Sequence, residues 1–237
     1  MYWLYILGVC ISYIYLYNSD MANIQPHAAY AAFVHGIRNQ WSYLVRTTPD
    51  LADLLHPLEE TIVGDFLPAL IGREVTDEVR ELLALPARLG GLDISIPTRK
   101  SRDECDASTT VTQPLVAAII NKESNYDARV EAEQKEAKNK LRQQRKVKRE
   151  QEVADVRLKI PQEMKRNVDM AQEKGASAWL TAIPRADYDF ALHKGDFRDA
   201  LCIRYQWTPP RLPSQCACGE GFSVSHAMKL SKGRIPK

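Results

Sequence analysis

The sequence predicts a mainly α protein: a small helical bundle, a long charged helix, then a small helical and looped C-terminal segment. Three observations predict it. Apolar residues recur at spacings of three and four between residues 30 and 83. The stretch from Tyr126 to Lys159 contains no Pro and no Gly and is built mostly of Glu, Lys, Arg, Gln and Ala, all good helix formers. Strand signals, runs of alternating apolar and polar residues, are weak throughout.

The 237 residues suffice for one large or two small domains. With 45% hydrophobic and 26% charged residues, the chain is neither wholly disordered nor collagen-like. The 5 Cys are scattered at 10, 105, 202, 216 and 218, which excludes a disulfide scaffold and points to a reducing compartment, nuclear or cytoplasmic. The net charge of +2 hides a split. Residues 1–128 hold 9 Lys+Arg against 16 Asp+Glu, and residues 129–237 hold 23 against 14. An acidic half therefore precedes a basic one, and the basic half suits a polyanion.

Residues 1–21 form an apolar leader, uncharged as far as Tyr17 and carrying five Tyr. As a helix, residues 1–17 would reach about 25 Å, just short of the hydrocarbon core. Two readings stay open: a membrane anchor, the only route to a membrane partner here, or a non-native leader with Met21 as an alternative start. Residues 22–97 read as a helical bundle. Tyr30, Phe33, Val34, Ile37, Trp41, Leu44 and Val45 make one stripe. Thr48-Pro49 restarts the chain as cap and first helical residue. Leu51, Leu54, Leu55, Leu58, Ile62, Phe66 and Leu70 make the next stripe, with a kink or break expected at Pro57. Thr76-Asp77-Glu78 caps a third helix carrying Val75, Val79, Leu82 and Leu83, and Gly90-Gly91 forms the turn that follows it.

Residues 98–125 read as a polar linker, over 98–111, and a short helix from Pro114 to Ile120. Residues 126–160 form the long basic helix, too sparse in apolar residues for a coiled-coil seam. In residues 161–210, Pro161 starts another helix, and Trp179, Leu180, Phe190, Leu192, Phe197, Leu201 and Tyr205 are expected to supply a second small core. Residues 211–237 form the tail.

Two features could carry chemistry. Lys135, Lys138, Lys140, Arg142, Arg145, Lys146, Lys148 and Arg149 stand against a single acid, Glu136. Their helical phase is read as spreading them around the axis. Such a density suits a phosphate backbone, RNA or DNA, bound weakly and without sequence preference; a solvated charged face and a nuclear-import-like run are the alternatives. In the tail, Cys216, Cys218 and His226 supply soft donors around a Gly turn, three of the four corners that zinc wants. Leu230 stands where a fourth ligand is expected, so water or Cys202 would have to stand in and zinc would bind at most weakly. The alternative is two free thiols in a loop. There is no Asp-Asp pair, no Gly-rich phosphate loop and no Gly-x-Ser-x-Gly elbow. His193 beside Lys194-Gly195 has no indicated acidic partner. No catalytic residue is expected.

Five stretches carry a resemblance: Ala29–Gly36, Trp41–Tyr43, Leu83–Leu92, Lys174–Pro184 and Phe190–Cys202. In this order they resemble the region downstream of the palm in retrotransposon-type reverse transcriptases of invertebrate genomes. Leu-Pro-x-Arg-Leu-Gly-Gly-Leu at residues 85–92 is similar to a stretch of the thumb in many non-LTR polymerases, and Cys216 to His226 looks like the zinc-binding tail. The resemblance covers about residues 24–237. It implies that the bundle corresponds to a thumb, which in that family holds the template–primer duplex. It also implies fingers and a palm upstream, with an aromatic-x-Asp-Asp site that this sequence lacks, and a tail with a Cys where Leu230 sits. The expectation is a decayed or truncated copy, a non-catalytic remnant that contacts nucleic acid. A membrane-anchored interaction protein and a chain without molecular function are the rivals.

Overall fold

The structure is a computed structural model; it describes residue 8, residues 18–121, 128–210, 212–216, 218–223 and residue 226. Residues 1–17 other than Gly8, and Leu230, lie outside the described residues, so the uncharged part of the leader and the fourth-ligand position do too, while residues 18–21 of the leader lead into and begin the first helix. Among the described residues no helix is long and apolar enough to cross a membrane.

The chain is mainly α, as the periodicity predicts, and the only β pairing among the described residues is an isolated bridge between Gln215 and Gly221. The first stripe is wholly buried, but its helix is not continuous. After α1 (Asp20–Ile24), α2 (Pro26–His35) stops at Gly36, a 3-10 turn covers Ile37–Asn39, and α3 (Ser42–Thr47) follows. The second stripe is broken up further. Pro49 opens a turn rather than a helix, with Asp50 at φ 54°. A 3-10 turn over Asp53–Leu55 then leads into α4 (His56–Thr61), a π turn over Ile62–Phe66 and α5 (Leu67–Ile71). Pro57 does not interrupt a helix; it sits in the first turn of α4, where its missing N–H would have had no partner. Every expected core residue of this stripe is buried except Leu54. α6 (Asp77–Ala84) begins after Thr76. Glu78 there accepts from its own backbone N–H and from the Thr76 hydroxyl, which holds its carboxyl below the usual range.

Residues 98–111 are not a linker. They belong to α7 (Pro97–Ile120), a 24-residue helix with Pro97 in its first turn and Pro114 inside it. The helix buries only Pro97, Ser101, Ala107 and Ala118, so it shows little apolar period. It packs between α3 and α8 (Ala128–Lys159) and is held by ions. Glu104 lies 3.5 Å from Arg46 and 3.2 Å from Arg145, and Asp103 pairs with Lys148. Tertiary packing supplies what the periodicity lacks. α8 itself buries only Val130 and Val156, in keeping with a solvated charged helix.

The expected second core is also corrected. After α9 (Gln162–Met170) and α10 (Ala178–Thr181), Leu180 and the α11 (Lys194–Tyr205) residues Phe197, Leu201 and Tyr205 join the same apolar cluster as Tyr30, Phe33 and Phe66. Phe197 is ringed by His27 at 5.3 Å, Trp179 at 5.8 Å and Tyr30 at 6.1 Å. Phe190 is exposed. A short segment with so few apolar side chains buries them better against the bundle than against itself.

One loop, residues 85–95, joins these parts. Gly90 lies at φ 97°, where a side chain is strained, and a Cβ on Gly91 would overlap the Leu85 carbonyl oxygen. The turn lets Leu92 N–H donate to Leu83 O at 3.0 Å and Asp93 N–H to Leu85 O at 2.8 Å. Side chains from all sides then take its carbonyls. Tyr30 OH donates to Leu92 O at 2.9 Å, and Arg38 bridges Asp93 O at 2.9 Å and its carboxylate at 2.6 Å. Arg80 forks onto Glu59 at 2.7 and 2.9 Å and reaches Ile94 O at 2.7 Å and Ser95 O at 3.2 Å. Arg204 reaches Ala87 O at 2.7 Å and Gly91 O at 3.3 Å, and Ser177 Oγ lies 2.9 Å from Ala87 O.

Candidate metal centre and basic groove

The tail folds into a small chelating turn. Cys216 N–H donates to Glu220 O at 2.8 Å, and Gly219 N–H, with φ 86° at Gly219, donates to Cys216 O at 2.8 Å. This doubles the chain back so that Cys216 and Cys218 offer their sulfurs to one side. His226 completes the group: its N–H donates to Ser223 Oγ at 3.1 Å, and its Nε2 lies 3.1 Å from Cys218 Sγ. The three donor atoms lie within 4.8 Å of one another, so Cys216, Cys218 and His226 could hold a metal ion. Two thiolates and an imidazole are a donor set that suits zinc. Cys202 is not part of this group; it is buried on α11, and burial pushes its thiol pKa up.

The basic run divides between two faces of α8. Five of its eight cations, Lys138, Arg142, Arg145, Lys146 and Arg149, line one groove of about 1020 Å³ between α7 and α8. They are therefore a stripe and not a spread: Lys138, Arg142, Arg145 and Arg149 step by four, three and four residues. The same arithmetic that finds apolar stripes finds this one, but Lys140 and Lys148 at other phases mask it. Arg46 from α3 and Arg88 from the 85–95 loop join the groove. Neither was legible, because both stand far from the basic run in sequence. Among the described residues the only acids lining it are Glu104 and Glu150. Glu104 is shared between Arg46 and Arg145. Among the described residues, Arg88, Lys138, Arg142, Lys146 and Arg149 have no ion pair. The floor between them is apolar: Leu89, Ala107, Val111, Leu141 and Val153.

The adjoining cleft, about 830 Å³, is mixed in charge: Asp103, Asp106, Glu152 and Asp155 meet Arg99, Lys100, Lys148 and Lys159 there, and Arg145 and Arg149 line both clefts. Lys148 pairs with Asp103, and Lys159 donates to Glu81 at 2.8 Å, which holds the Glu81 carboxyl below its usual range. Lys135 and Lys140 line neither cleft.

No protein-family model matches this chain, and neither the curated proteins nor the solved structures compared with it give a match.

Proposed function

We propose that this chain is a non-catalytic piece of a retroelement reverse transcriptase that holds RNA or DNA weakly, without sequence preference, through its basic helix. The observation that carries the reading is the set of uncompensated cations on α8 and beside it. Crowded like charges without partners favour a bound polyanion, and lysine and arginine contacts to phosphate position a nucleic acid without reading its bases. The resemblance supports the origin. Its stretches pack as one unit, since Tyr30 bonds Leu92, Ser177 meets Ala87, and Phe197 packs on Tyr30 and Trp179. In this reading the bundle at 22–97 corresponds to a thumb and the tail is a weak zinc site.

The test is the affinity of the full chain for labelled RNA and DNA of unrelated sequence. Affinity should be similar for each and fall steeply between low and physiological salt. It should collapse when Arg142, Arg145, Lys146, Lys148 and Arg149 are all changed to Gln. An affinity indifferent to salt, or to those five changes, would overturn the reading. Metal-dependent primer extension above a mock preparation would overturn its non-catalytic part.

A further inference from the structure

Resting on that reading, we infer that the ligand is a single strand of nucleic acid seated in the α7–α8 groove, with Arg88 of the 85–95 loop as a contact that the helix alone does not supply. The groove has two layers. Its floor is apolar, from Leu89, Ala107, Val111, Leu141 and Val153, and cations rise along its α8 wall. An unpaired strand has the matching two layers: bases that can lie against an apolar surface and a chain of phosphates beside them. A duplex turns its bases inward and offers the floor nothing.

The spacing agrees. From Lys138 to Arg149 is eleven residues, or about 16 Å of helix at 1.5 Å per residue. A fully stacked strand carries a phosphate about every 3.4 Å and a strand whose bases turn to the floor carries them further apart, so at most about five phosphates pass along that wall. An acidic helix laid in the same place would match the four-cation row turn for turn, but its single row of carboxylates leaves Lys146 and Arg88, which stand off that row, unmatched. Among the described residues no aromatic side chain lines the groove, so these hold bases without stacking platforms. Binding is therefore tolerant of sequence and dominated by salt-sensitive phosphate contacts.

The experiment compares two variants that remove equal charge from the same helix. Arg142→Gln with Arg149→Gln removes two of the five α8 cations on the groove wall; Lys135→Gln with Lys140→Gln, which line neither cleft, leaves it intact. Each is titrated as the full chain against a labelled oligouridylate, a duplex of the same length and an acidic amphipathic peptide, at several salt concentrations. The groove pair should lower single-strand affinity about tenfold or more at low salt and flatten the salt slope by about 0.7 for each phosphate no longer neutralised. The outer pair should change affinity less than threefold. Arg88→Gln should weaken binding although it lies outside the helix. Equal losses from the two pairs would overturn the groove while leaving the basic helix as the binding element. Tighter binding of the duplex, or displacement of the strand by the acidic peptide with higher affinity, would overturn the choice of occupant. No binding of any nucleic acid at low salt would overturn this inference together with the function it rests on.

Discussion

The 85–95 loop and the groove beside it are lined by the same chemical group. Around the loop, the guanidinium groups of Arg80 and Arg204 are buried; Arg80 donates to the Glu59 carboxylate and the Ile94 carbonyl, and Arg204 donates through one Nη to the Ala87 and Gly91 carbonyls while its Nε has no partner among the described residues. In the groove, Arg88, Arg142 and Arg149 have no ion pair among the described residues, and water reaches them. A buried cation with partners is part of the fold, since removing it strands the groups it satisfied. An exposed, uncompensated one adds little to stability, so its position has to be explained by what it meets from outside. Sorting arginines by whether their donors are used separates architecture from binding more cleanly than counting charges along the chain.

The largest break in this comparison is Gly91→Ala. The new Cβ would overlap the Leu85 carbonyl oxygen, so the loop cannot keep its course and every clasp on it shifts. A loss of about 4 kcal/mol or more is expected in denaturant unfolding. A near-neutral result would show that the loop is not the joint described here. Arg80→Met comes next. It leaves the Glu59 carboxylate and the Ile94 and Ser95 carbonyls without their donor, at about 3 kcal/mol. Glu59→Gln, which keeps an acceptor, should lose clearly less.

The apolar half of this architecture was legible and the polar half was not. Tyr30, Phe33, Leu58, Phe66, Leu82 and Leu83 announce themselves by spacing, because burial of one helix face imposes a period. α7 does not, because its partners are ions: Glu104 and Asp103 look like linker residues until Arg46, Arg145 and Lys148 are brought to them by the fold. Arg80 and Arg204 are equally silent in sequence, since nothing nearby marks the carbonyls they will meet. The Gly90-Gly91 turn was legible as a turn, though not as the place where three distant segments converge. At the tail the chelating residues were legible from type and spacing. In the groove, the phase of Lys138, Arg142, Arg145 and Arg149 was present but hidden by their neighbours.

Buried titratable groups give a smaller effect that also sharpens the comparison. Burial pushes the Tyr205 phenol up to about 12. The fold then keeps a proton that the unfolded chain releases near 10, so this contribution to stability is whole below pH 10 and disappears between about 10 and 12. Burial acts in the opposite direction on His27, holding its pKa below the ordinary 6.5. Its contribution is present above pH 6.5 and is lost as the pH falls below that value. Melting temperature should therefore decline on both shoulders, and Tyr205→Phe should shrink the alkaline one. An unchanged alkaline limb in that variant would count against the assignment.

The smallest effect is at the tail. Zinc added to the full chain should bind weakly, be removed readily by chelator and leave the melting temperature of the helical body unchanged, because the turn at 214–223 lies outside the apolar core. Cys216→Ser should abolish even that binding. Stoichiometric, chelator-resistant zinc would contradict the weak site.

Arg88 tests the central claim most directly, because it sits on the structural loop itself while facing the groove. The measurement is Arg88→Gln in the full chain, read twice: melting temperature, and affinity for a labelled single strand across salt. The account predicts a melting temperature within about 2 °C of the parent, as for a surface substitution, together with a weaker affinity and a flatter salt slope. A marked drop in melting temperature with binding unchanged would contradict it, because Arg88 would then belong with Arg80 and Arg204 among the cations that build the fold.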